Sequence, residues 1–207
     1  MVWAAQRIGD DHIGVVANAF VLRGIDPDDD NFLYSDNIWS EGEKTGRYSA
    51  GEVLDFAAVF GSNTGTSAYS TRRQWRVLSI AAPSQDLPSE VDWLGDGLPT
   101  SVKVDKPLSV RDVFAMKRDL YEGTAYDLTQ PNRQLPSSPF GDPSRYDASP
   151  ETDVNGNGLT QAEIDEGGFE RAISMFRTSY SVVSQTRPGA ATPLAKSVVR
   201  IISTHRF

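Results

Sequence analysis

The chain has 207 residues, 39% hydrophobic and 23% charged, with a net charge of -8. That is the length of one domain, with enough apolar residues for a core, and an acidic surface that repels phosphate backbones, so nucleic acid is not an expected partner. Cysteine is absent, which excludes disulfides, thiolate metal sites and thiol catalysis by the chain's own side chains; no apolar run approaches the roughly 18 residues of a membrane-spanning helix.

Residues 2–8 and 13–22 read as two strands rich in Val, Ile, Ala and Phe, with GDD at 9–11 as the turn between them. The second is almost continuously apolar, the pattern of a strand covered on both faces, and Asn18 interrupts it. DPDDD at 26–30 reads as a solvated acidic turn. Ser49 has Glu52 three residues on, the spacing of a capping box, and predicts a helix from there to a stop at Gly61.

Residues 62–66 read as a polar turn. The spacing of Trp75, Leu78 and Ala82 predicts a helix over 69–82, ended by Pro83. Residues 84–99 read as loop. A third helix is capped by Ser109 with Asp112 at its third position. Val110, Val113, Phe114, Leu120 and Tyr121 share its stripe, and Gly123 suits the left-handed position after the last turn. Residues 128–158 are rich in Pro, Ser, Asn and Gly, a long loop. The alternation around Phe176, Arg177 and Thr178 predicts a strand over 169–184. Strands mixed with helices argue for an α+β layered architecture.

His12 and His205 are the two histidines. One falls in a turn and one at the C-terminus, so they read as surface residues rather than as a Ser-His-Asp or metal centre. DVNGNGLTQAEID at 153–165 carries more information. Asp153, Asn155 and Asn157 occupy the first, third and fifth positions of a calcium loop, and Gly158 the sharp sixth. The pattern then breaks, with Ile164 at position twelve and Glu163 one place early. The alternative is an Asn-Gly turn in a long loop. No other cofactor is expected.

Several segments carry a resemblance: WAAQRIGDDHIGVVANAF, NFLYSDN (31–37), YSTRRQWRVLSIAAPS (69–84), LSVRDVFAMKRDLYEGTAYDLT (108–129), PFGDPSR (139–145) and FERAISMFRTSYS (from residue 169). In this order they resemble the dipeptidase and secernin family of N-terminal-nucleophile hydrolases. The resemblance implies a four-layer αββα sandwich and a cysteine nucleophile exposed as the mature N-terminus, whose free α-amino group is the base. It implies a dipeptide substrate. It makes Asn18 an oxyanion-hole donor, and Arg177 a residue that stabilises charge near the nucleophile or grips the dipeptide carboxylate.

The expectation is therefore a central fragment of a dipeptidase-type domain over 1–187, with a calcium-like insertion in a long loop at 128–168 and an atypical tail at 188–207. Without the cysteine, this chain alone is expected to be inactive. A calcium-dependent binding module and a non-catalytic remnant of the family are the alternatives.

Overall fold

The computed structural model describes residues 1–61, 67–91, 97–129, 172–174, 178, 181–186 and 196–201. It falls into two units, Met1–Pro107 and Leu108–Phe207. The first contains β1 (Ala4–Gln6), β2 (His12–Gly14), β3 (Gly24–Ile25), β4 (Phe32–Tyr34), α1 (Ile38–Lys44), β5 (Leu54–Asp55), α2 (Phe56–Phe60), α3 (Ser67–Ala81) and β6 (Ser101–Lys103). The second contains α4 (Val110–Lys117), β7 (Ser181–Thr186) and β8 (Lys196–Ile201). The described elements are thus α+β, with the strands in small antiparallel ladders.

In the first unit the GDD turn forms, closed by His12 N donating to Gly9 O at 3.0 Å. The strands on either side of it nonetheless pair elsewhere: β1 with β4, Ala5 opposite Leu33, and β2 with β6, Ile13 opposite Val102. The second strand is far shorter than its apolar run suggested, and it is not covered on both faces. Ala17 is buried while Val16 is 73% exposed. The acidic turn is as expected: Asp26 Oδ1 accepts from Asp28 N and Asp29 Oδ1 from Asn31 N, both at 2.9 Å, the self-made turns that aspartate favours.

The helix expected from Ser49 starts later. Leu54 and Asp55 pair with Ile25 and Gly24 as a short ladder, and Asp55 then caps α2, its Oδ1 accepting from Ala58 N at 2.9 Å. The predicted stop at Gly61 holds, with Gly61 N bonded to Ala57 O. One apolar cluster gathers here from Ile25, Ile38, Tyr48, Leu54, Phe56 and Val59. Gly42 in α1 permits that approach, because a Cβ there would lie 3.2 Å from the Tyr48 ring and 3.3 Å from Leu54. A second cluster joins Leu78 and Ala82, at the end of α3, to Leu98 and Val102, with Trp75 packed against it. This is the stripe that helical spacing predicted; the helix begins two residues before the expected 69 and ends at Ala81.

In the second unit Ser109 and Asp112 form the expected capping box. The helix ends at Lys117, short of the predicted Leu120 and Tyr121. Asp119 Oδ1 accepts from Tyr121 N at 2.8 Å and Glu122 Oε2 from Leu120 N at 2.9 Å. Acidic side chains that take neighbouring backbone N–H groups compete with the helical bonds. Tyr121 turns to φ 64 and is fully buried, and Gly123 is left-handed as expected, at φ 78. The strand expected over 169–184 is observed from Ser181, pairing antiparallel with β8, Val183 opposite Val199. Ile173 and Ser174 form a bend instead, tied down by Ser174 N donating to Asp119 O at 3.1 Å.

Candidate functional site

After β2 the chain runs irregularly to β3, and its far end is held by long-range bonds. The Thr100 hydroxyl donates to Val21 O at 2.8 Å, and Ala57 N to Leu22 O at 2.9 Å. Ala17 faces inward. Between these anchors Asn18 takes φ 57, the left-handed region that asparagine tolerates better than most residues. Its side chain stands exposed, flanked by exposed Val16 and by Phe20, which is 48% exposed and packs edge-on against Phe56 at 5.2 Å between ring centroids.

The Asn18 carboxamide has one partner among the described residues. Arg73 Nη2 on α3 donates to its Oδ1 at 2.9 Å. With Oδ1 engaged as an acceptor, the NH2 group is left as a donor, and it makes no bond to any described residue. The phase of α3 explains the reach of Arg73. Thr71, Gln74 and Leu78 turn inward, at 3%, 5% and 0% exposure, and Arg72 lies buried with Nη1 donating to Ser89 O at 3.0 Å. Arg73 is on the remaining, partly open side.

The same segment and α3 contribute to a cavity of ≈ 10 Å³, lined by Phe20, Val21, Arg23, Thr71, Gln74, Gly97 and Leu98. That is about the space of one water molecule and too small for a substrate side chain. Arg23 at its wall is engaged by Asp55, Nε to Oδ2 at 2.6 Å.

Away from this region, Asp11 bridges His12 Nδ1 at 2.7 Å and Lys103 Nζ at 2.9 Å. The lysine first, then the histidine, hold its carboxyl below the usual carboxylate range. His12 is the exposed first residue of β2, and its N–H closes the turn onto Gly9 O. His205 lies outside the described residues, as do Arg177 and the calcium-like Asp153, Asn155 and Asn157. Among the described residues no group of three or more His, Cys, Asp or Glu side chains could hold a metal, and no helix is long and apolar enough to cross a membrane.

Of the expected site residues, then, the described structure contains Asn18 alone. It adds Arg73, which sequence reasoning did not single out. Arg72 and Arg73 are adjacent and chemically identical, and what separates them is tertiary: Arg72 turns inward to Ser89 O, while Arg73 reaches a residue 55 positions away. Helical spacing places Tyr121 on the α4 stripe, and no local signal announces its left-handed backbone.

A search of the curated proteins finds no match to the chain. The family comparison does: the model for peptidase family C69 matches residues 1–203, running past Arg187 through most of the tail, and the chain belongs to that family of peptide-bond hydrolases.

Proposed function

We propose that the chain forms part of a cysteine-type dipeptidase and contributes the oxyanion donor of its active site. In this reading the nucleophile is an N-terminal cysteine that the 207 residues do not contain, and the small antiparallel ladders are parts of the two central sheets of an αββα sandwich. The cysteine thiol, its proton taken by the free α-amino group, attacks the dipeptide carbonyl. The carbonyl oxygen becomes an oxyanion and the Asn18 NH2 donates to it. Arg177 stabilises charge beside the nucleophile or holds the dipeptide carboxylate. Collapse of the tetrahedral intermediate expels the second residue's amine and leaves a thioester, which water hydrolyses.

The observation that carries the reading is the state of Asn18. It is exposed on a left-handed turn, its Oδ1 is occupied by Arg73, its NH2 bonds to no described residue, and the residues two positions either side, Val16 and Phe20, are exposed and apolar. A ligand-facing amide amid apolar surface is the usual form of a specific contact.

In a family enzyme that carries its cysteine, replacing the asparagine aligned with Asn18 by glycine lowers kcat/KM about tenfold or more, as loss of an oxyanion donor does. Near-normal turnover removes the assignment. The purified 207-residue chain hydrolyses no dipeptide, and measurable hydrolysis by it overturns the cysteine mechanism.

A further inference from the structure

We infer that Arg73 is a positioning residue that sets the donor face of Asn18; the inference rests on the reading of Asn18 as an oxygen-binding donor. A carboxamide can present either its oxygen or its NH2 to a ligand, and the two orientations occupy nearly the same space. The guanidinium fixes the choice. Arg73 Nη2 donates to Oδ1 at 2.9 Å, so rotating the amide by half a turn would point its NH2 at a cation and lose the bond. A charge-assisted hydrogen bond to the oxygen also draws electron density toward it, which strengthens the opposite N–H groups as donors. The backbone contributes the rest, because φ 57 at Asn18 is held between buried Ala17 and the bond from Thr100 to Val21 O. The ligand chemistry this arrangement fits is an oxygen carrying negative charge and approaching from the exposed side.

The test uses the full 207-residue chain, ¹⁵N-labelled, with alanylalanine as the probe. Asn18→Gly identifies the side-chain amide signals of Asn18 and keeps the left-handed backbone without strain. In the unaltered chain those two proton signals are well separated and rigid, and alanylalanine shifts them saturably. In Arg73→Met they converge and become mobile, and the dipeptide binds about three- to tenfold more weakly, the usual effect of losing one such bond. Arg73→Lys restores part of both effects. A purely structural role predicts a lower Tm for Arg73→Met with the Asn18 signals unchanged, and that result overturns the inference. Dipeptide-induced shifts that are indifferent to Arg73→Met also overturn it while leaving the donor reading intact. Signals that depend on Arg73 but ignore the dipeptide remove the donor reading, and the inference falls with it.

Discussion

Ser49 and Ser109 each stand three residues before an acidic side chain, and each donates its backbone N–H to that carboxylate. The distances are 3.3 Å from Ser49 N to Glu52 Oε2 and 2.7 Å from Ser109 N to Asp112 Oδ2. At Ser109 the reciprocal bond is present as well, Asp112 N donating to the serine hydroxyl at 3.3 Å, and α4 follows at once. At Ser49 it is missing. Gly51 turns at φ 91, Glu52 N closes a tight turn onto Ser49 O, and the chain then extends into β5. The difference lies downstream. Leu54 is fully buried opposite Ile25, and burying a leucine is worth about 1.5–3 kcal/mol, whereas a serine cap contributes about 1 kcal/mol. Where the two compete, the cap yields, and Asp55 supplies another cap six residues later. A capping motif thus marks a helix start only when nothing just beyond it has a better long-range partner.

The largest break in this comparison is Leu54→Ala. It removes the residue that draws residues 49–55 away from the helix, and it opens a cavity in a cluster that also holds Ile38 and Phe56. The expected loss is about 2–5 kcal/mol, read from urea unfolding. A loss below about 1 kcal/mol would mean that burial at Leu54 does not decide the local structure. Next comes Ser109→Ala, which removes the hydroxyl that accepts from Asp112 N. It costs about 1 kcal/mol, seen as faster hydrogen exchange of the α4 amides, and unchanged exchange would show the capping box to be dispensable.

The same competition sets what the sequence alone can reveal. The α3 stripe of Trp75, Leu78 and Ala82 was legible because helical spacing is a property of neighbouring residues, and so was the Ser109 box. The split of residues 2–22 into strands that pair with β4 and β6 was not, because register belongs to partners far along the chain. At the candidate site Asn18 was legible as a polar break in an apolar run and through the resemblance of its surroundings to the dipeptidases. Its left-handed backbone was not, since Thr100 and Ala57 hold the segment that follows it. Nor was the role of Arg73, which its immediate neighbours do not distinguish from Arg72. In the second unit, Asp119 and Glu122 ended a helix that apolar spacing alone would have extended to Tyr121.

The smallest effect belongs to Ser49→Ala, and its smallness carries the argument. The Ser49 hydroxyl makes no hydrogen bond among the described residues, and the residue is exposed. The bond that remains there uses the backbone N–H, which alanine retains. Substitution should therefore change stability by no more than about 0.5 kcal/mol, as at other exposed sites, while Ser109→Ala costs about twice that or more. Urea unfolding of the two variants side by side measures the contrast. Equal losses would mean that the serine at 49 caps a helical turn in solution, and that the pairing of Leu54 with Ile25 does not displace it. Unequal losses, with Ser49→Ala near zero, assign the start of α2 to Asp55, whose carboxylate both accepts from Ala58 N and clamps Arg23.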